Sequence, residues 1–187
     1  MISTNQKAFI ETQFSFANSM FFMDTCSFLM DSFSDFASLL TPLLSQGKRH
    51  LYIHQAVISE LEHISCTRNH PRRYHALYAL REIECMDRAG IIHYITATDA
   101  SSPADNQFLE TFLRLRKERA IRLITQDFNL AKDCVLLNDI CSSTGFQIES
   151  FKLTAYGGLK KFSFQENTIF APRFTFDESK FSVAANC

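Results

Sequence analysis

Met20-Phe21-Phe22-Met23-Asp24-Thr25 is the stretch that decides the fold. Four apolar residues in a row offer no polar face to water, so Met20–Met23 reads as a strand buried on both sides. Asp24 stops it abruptly. A carboxylate placed directly after a buried strand is hard to explain as ordinary surface, and its position relative to other strand ends becomes the question.

Working outward, short apolar runs recur with helical patterns between them. Leu51–Ile53, Ile91–Ile95, Ile121–Thr125 and Gly145–Glu149 read as further strands. Ser32–Leu44 repeats apolar residues at helical spacing, with Gly47 as a stop and Pro42 expected to kink or end its first part. Val57–Ile64, Pro71–Arg88 (stopped by Gly90), a helix opening at Pro103 behind Ser101 or Ser102, and Asn129–Cys141 read as the other helices. Residues 4–18 suit a short amphipathic helix or an arm. Alternating strands and helices demand crossover connections, hence a mostly parallel sheet. The expected organisation is an N-terminal helix or arm over 1–17, an α/β domain over 18–150, and a C-terminal extension over 151–187. The extension holds seven of the nineteen Phe. Tyr156-Gly157-Gly158 marks a turn, and 161–164 and 173–176 alternate polar residues with Phe as short half-buried strands do. It is expected to pack back on the domain, with part of it available for association.

Composition narrows the function classes. The chain has 187 residues, enough to bury roughly 70% of its extended-state surface without disulfide staples. Its net charge of −1 gives no global field for indiscriminate binding to nucleic acid, so any such contact must use a local patch. No uncharged apolar run is long enough to span a membrane, and no secretory signal pattern opens the chain. The six cysteines form no CxxC pair, which reads as reduced thiols in a cytoplasmic protein rather than a zinc site.

In a parallel sheet, loops after the carboxyl ends of strands converge on one crevice. Four segments there carry acids: Asp24-Thr25 after the first strand, Glu60-Leu61-Glu62 in the helix after the second, Asp105 at the start of the helix after the third, and Asp127 after the fourth. Each has an ordinary explanation by itself. Asp105 and Asp127 suit helix starts, and Glu60 or Glu62 suits a solvated helix face. Together they would repel one another unless a cation intervened. Oxygen donors without His or Cys suit Mg²⁺ or Mn²⁺, and such sites support displacement at phosphorus. A phosphatase using Asp24 as nucleophile would want a second Asp two positions on, where Cys26 stands.

Four segments in this order resemble a PIN-domain nuclease: Met23-Asp24-Thr25-Cys26-Ser27-Phe28-Leu29, Val57-Ile58-Ser59-Glu60-Leu61-Glu62, Pro103-Ala104-Asp105-Asn106-Gln107-Phe108-Leu109, and Leu123-Ile124-Thr125-Gln126-Asp127-Phe128-Asn129-Leu130-Ala131. The resemblance covers residues 18–150. It implies a three-layer α/β/α sandwich on a five-stranded parallel sheet, and an Mg²⁺- or Mn²⁺-dependent endoribonuclease. Asp24, Glu60, Asp105 and Asp127 would be its metal-binding catalytic acids, with Thr25 and Thr125 orienting the site. Glu62 is a lesser candidate than Glu60, and Asp133 reads as helix surface. The family includes toxins of VapBC-type toxin–antitoxin pairs, RNA-maturation nucleases and PIN modules attached to other domains. The partners it implies are single-stranded or structured RNA, an antitoxin protein where the member is a toxin, and a second copy of the chain. The competing reading is a non-catalytic PIN scaffold that binds RNA or protein.

Residues 64–81 hold Arg68, Arg72, Arg73 and Arg81 with no acid, and Tyr74 lies among them. Arginines contact phosphates and tyrosines stack on unpaired bases, so this segment is the candidate RNA surface. A solvated helix face is the alternative. The Arg114–Arg122 cluster includes Glu118 and reads as helix surface.

Overall fold

A strand that is apolar on both sides needs cover on both sides, and the computed structural model shows how the chain supplies it. The structure describes residues 3–15, 19–96, 104–140 and 145–164. In chain order the elements are α1 (Thr4–Ser15), β1 (Ser19–Met23), α2 (Thr25–Phe28), α3 (Phe33–Gly47), β2 (Leu51–His54), α4 (Gln55–Cys66), α5 (Arg73–Arg88), β3 (Ile92–Ile95), α6 (Ala104–Leu115), β4 (Ala120–Ile124), α7 (Phe128–Ile140), β5 (Ile148–Leu153) and β6 (Leu159–Lys161).

The strands form one sheet in the order β3-β2-β1-β4-β5-β6. The first five are parallel, and β6 returns antiparallel to β5. β1 is central, and successive residues on it face opposite layers. Phe21 stacks on Phe14 of α1 at 4.0 Å between ring centroids, and Phe14 in turn meets Phe36 of α3 at 6.4 Å. The next residue, Phe22, meets Phe112 of α6 edge-on at 4.8 Å. On one side α3 touches α1 and α5; α6 and α7 touch each other. The architecture is therefore α/β with a central, mostly parallel sheet flanked by helices.

The expected five-stranded sheet becomes six-stranded. The extra strand is only three residues, Leu-Lys-Lys, too short for any periodicity to announce it. It displaces the strand expected at 161–164. Its turn uses Gly157 at φ 75°, a left-handed conformation that glycine adopts without a Cβ clash. Thr154 accepts from Gly157 N and Gly158 N there. β5 runs past residue 150, and Phe151, Leu153 and Leu159 are buried, so residues 151–161 complete the sheet. The strand expected at 173–176 and the caps expected at Ser101 and Ser102 lie outside the described residues.

Pro42 does not end α3. It cannot donate to the carbonyl of Ser38, but both residues are exposed, so water can serve that carbonyl and the helix continues to Gly47. The left-handed residue that closes α3 is Lys48, not Gly47 (φ 49°, ψ 48°).

The N-terminal segment is a helix packed into the core. Ile10 and Phe14 are buried. Arg122, nearly buried on β4, donates through Nη1 to Gln13 O at 2.5 Å and Gln13 Oε1 at 2.8 Å, and its Nε stands 3.4 Å from Glu149. Arg49 donates to the carbonyl of Phe14. A buried guanidinium is costly without such partners, so these contacts fix α1 on the sheet. Phe14→Ala should therefore cost about 3–5 kcal/mol in urea unfolding, the usual range for a buried Phe. An unchanged midpoint would mean that α1 is a dispensable arm.

Candidate active site at the β1–β4 crevice

The strand order reverses between β1 and β4. The chain leaves β1 toward β2 and β3, then crosses back through α6 to reach β4 on the other side. Such a reversal leaves a crevice beyond the carboxyl ends of the two strands. Asp24 follows β1 there, and Thr125 and Asp127 follow β4.

A cavity of about 230 Å³ fills this crevice. Asp24, Thr25, Glu60, Asp105 and Asp127 line it, with Cys26 and the apolar side chains of Val57, Phe108 and Leu130. All four acids singled out from the sequence thus meet in one cavity. Glu62 and Asp133 are not among its lining residues. Val57, Phe108 and Leu130 were not anticipated, yet each lies three residues from an acid: Val57 from Glu60 on α4, Phe108 from Asp105 on α6, and Leu130 from Asp127, which precedes α7. Residues three apart share a helix face, so this signal was present in the spacing.

Asp24 is the best-determined group. It is 5% exposed. Its Oδ1 accepts from Ser27 N at 3.0 Å, capping α2, and its Oδ2 accepts from the Thr125 hydroxyl. Thr125 Oγ1 itself accepts from Asp127 N at 2.9 Å, which fixes the direction in which its proton points. Burial pushes the Asp24 carboxyl up to about 6; the hydrogen bonds from Thr125 and Ser27 oppose that rise, and the nearby Asp127 charge adds to it.

The other acids are held by short-range contacts. Thr25 Oγ1 donates to Glu60 Oε2 at 2.7 Å, tying α2 to α4. Asp127 Oδ1 accepts from Asn129 N at 2.7 Å and Leu130 N at 3.1 Å, so it caps α7 while lining the cavity. Asp105 sits in the first turn of α6. His54 is fully buried and accepts from Ala56 N through Nδ1, which sets the junction from β2 into the helix bearing Glu60; burial lowers its pKa.

Cys26 reports the field of the whole set. Its thiol is pushed up to about 12, first by desolvation and then by the charges of Asp24, Glu60, Asp127 and Asp105. Burial and the surrounding carboxylates thus favour the protonated thiol. Among the described residues no Lys or Arg lines the cavity. Among the described residues no three His, Cys, Asp or Glu side chains stand close enough to ligate one ion together. An all-oxygen set spread around a cavity suits a hard ion that keeps much of its water and takes one or two carboxylates, which is the habit of Mg²⁺.

The candidate RNA residues are only partly free for that role. Arg68 and Arg81 are exposed. Arg72 Nη1 donates to Leu29 O at 2.8 Å and Arg73 Nε to Ser65 O at 3.0 Å, so they hold the end of α2 and the last turn of α4. Tyr74 is 76% exposed, with the Arg73 guanidinium 5.7 Å from its ring centroid. In the second basic cluster, Arg116 and Arg122 are buried, and Arg116 donates to Leu137 O. No helix among the described residues is long and apolar enough to cross a membrane.

No protein-family model matches the chain, and no curated protein does. Among solved structures the chain is similar to the PIN domain endonuclease Utp24, at 20% identity over 78% of this chain and 92% of that chain, with a TM-score of 0.48. The reading that follows rests on the side chains described above.

A raised carboxyl pKa makes stability depend on pH with a definite sign. Folded Asp24 holds its proton to about pH 6, whereas the unfolded chain releases it near 3.8. Its contribution to stability is thus lost as pH rises from about 4 through 6, on the order of 3 kcal/mol in total. In the metal-free chain, Asp24→Asn should raise the melting temperature at pH 7.5 and flatten stability between pH 4 and 7. A variant less stable than wild type at pH 7.5 would contradict the assignment.

Proposed function

We infer that the chain is a divalent-metal-dependent endoribonuclease whose site is the β1–β4 cavity. One observation carries the reading: four carboxylates from four separate segments line one cavity, and among the described residues no basic side chain lines it with them. Gathering like charges there costs stability, and a merely structural role would not require it. The motif resemblance to PIN-domain nucleases names the same four positions.

Asp24, Glu60, Asp105 and Asp127 would hold Mg²⁺ or Mn²⁺, directly or through water. A bound ion of this kind supplies a hydroxide nucleophile from water and neutralises charge on the phosphoryl oxygens. The chain's own residues do the rest. The Asp127 N–H sets the Thr125 hydroxyl, and that hydroxyl donates to Asp24, so one oxygen of Asp24 is held in a fixed direction. Thr25 does the same for Glu60. Val57, Phe108 and Leu130 form dry walls that strengthen the electrostatic interactions inside.

The scaffold alternative draws on the spacing of the acids, since no three stand close enough to ligate one ion together. A cleavage time course on mixed single-stranded RNA and tRNA separates the two. With Mn²⁺ or Mg²⁺ the wild type should give discrete fragments, and EDTA should abolish them. Asp24→Asn and Asp127→Asn should each lower the rate by about 100-fold or more, the scale seen when charge-stabilising groups are removed. Asn caps helices as well as Asp, so the second variant should keep its fold. Thr125→Val should cost about 10–100-fold, as for outer-sphere partners of metal ligands. Metal-independent RNA binding without cleavage would establish the scaffold instead.

A further inference from the structure

α2 has a second cavity beside it. Thr25 and Cys26 face the acid cavity, whereas Phe28 contributes to a separate pocket of about 290 Å³. Three residues along the helix separate Thr25 from Phe28, a rise of about 5 Å. The second pocket is walled by Tyr74 and Tyr78 of α5. Its polar groups are Asp31 and Ser34, from the end of the α2–α3 loop and the start of α3, and His75 of α5.

These side chains are oriented, not loose. Tyr78 donates its hydroxyl to Ser34 Oγ at 3.0 Å, and its ring meets Phe33 edge-on at 6.4 Å. His75 Nε2 lies 2.5 Å from Asp31 Oδ1. Tyr74 keeps most of its surface in solvent with a guanidinium near its face. The pocket therefore joins aromatic faces to a carboxylate that can only accept hydrogen bonds. Arg68 and Arg81 of the same stretch of sequence are exposed.

We propose that this pocket seats one unpaired base of the RNA strand whose phosphodiester lies at the acid cavity, and that it favours bases carrying an exocyclic amine. The chemistry is the usual one for single-stranded RNA, with stacking on aromatic rings and hydrogen bonding along the base edge. Asp31 accepts from the amine of adenine, cytosine or guanine, and uracil has no such amine. This goes beyond the catalytic acids to substrate choice, and it rests on the RNA reading above.

The test is fluorescence anisotropy of labelled A, C and U octamers with the full chain in EDTA, alongside Mn²⁺-dependent cleavage of mixed RNA. Tyr74 is solvent-facing, so Tyr74→Ala should leave the melting temperature unchanged. Its affinity for the A and C octamers should fall about 10-fold, while Tyr74→Phe, which keeps the ring, should stay within about 2-fold. Asp31→Asn should erase the preference for A and C over U. Wild-type binding that Tyr74→Ala leaves unchanged would overturn the pocket while the nuclease reading stood. Cleavage by a wild type that does not bind octamers would do the same, and neither binding nor cleavage would overturn both.

Discussion

The constraint on which the rest depends is the burial of the Asp24 carboxylate at the end of the central strand. It is sealed between β1 and β4 and compensated by two neutral donors, Ser27 N and the Thr125 hydroxyl, with Asp127 close enough to repel it. Neutral hydrogen bonds soften that burial without reversing it, as the raised pKa shows. A fold that wanted only stability would place an amide there. Around it Asp105 and Asp127 stand at the starts of α6 and α7, and the apolar side chains of Val57, Phe108 and Leu130 share the cavity wall. Helix N-termini favour negative charge, so the same geometry that closes the sheet also tolerates the acids.

This explains why the site was legible in the sequence. An acid directly after a four-residue apolar run is visible without a structure, and the parallel topology puts strand ends together whatever the details of packing. Asp24, Glu60, Asp105 and Asp127 were found by position. The roles of Asp24 and Asp127 as helix caps did not compete with a role in the cavity, because one carboxylate has two oxygens and can serve both. The apolar walls were overlooked because an apolar residue on a helix is ordinarily read as core, and only its spacing from an acid marks it as lining.

Other features were not legible for definite reasons. β6 is a three-residue strand that owes its place to pairing with β5, not to its own pattern. Pro42 is tolerated because the carbonyl it cannot serve is on the exposed side of α3. Charge alone could not show which arginines hold backbone carbonyls, as Arg72 and Arg73 do. Those carbonyls belong to neighbours brought close by folding, Leu29 and Ser65, which the local sequence does not reveal. The N-terminal helix was ambiguous for the same reason. Its buried residues, Ile10 and Phe14, are too few to form a convincing apolar stripe, and its attachment comes from Arg49 and Arg122 elsewhere in the chain.

The central claim is that the cavity lined by the four carboxylates takes up a divalent cation, with Asp24 needed for it. Titration of the metal-free chain with Mn²⁺ at pH 7.5, followed by calorimetry, tests it without any assumption about the RNA. The account predicts saturable binding that EDTA reverses, that weakens as pH falls below about 6 where Asp24 takes up its proton, and that Asp24→Asn largely removes. Absence of saturable binding, or binding equally tight in Asp24→Asn, would contradict it.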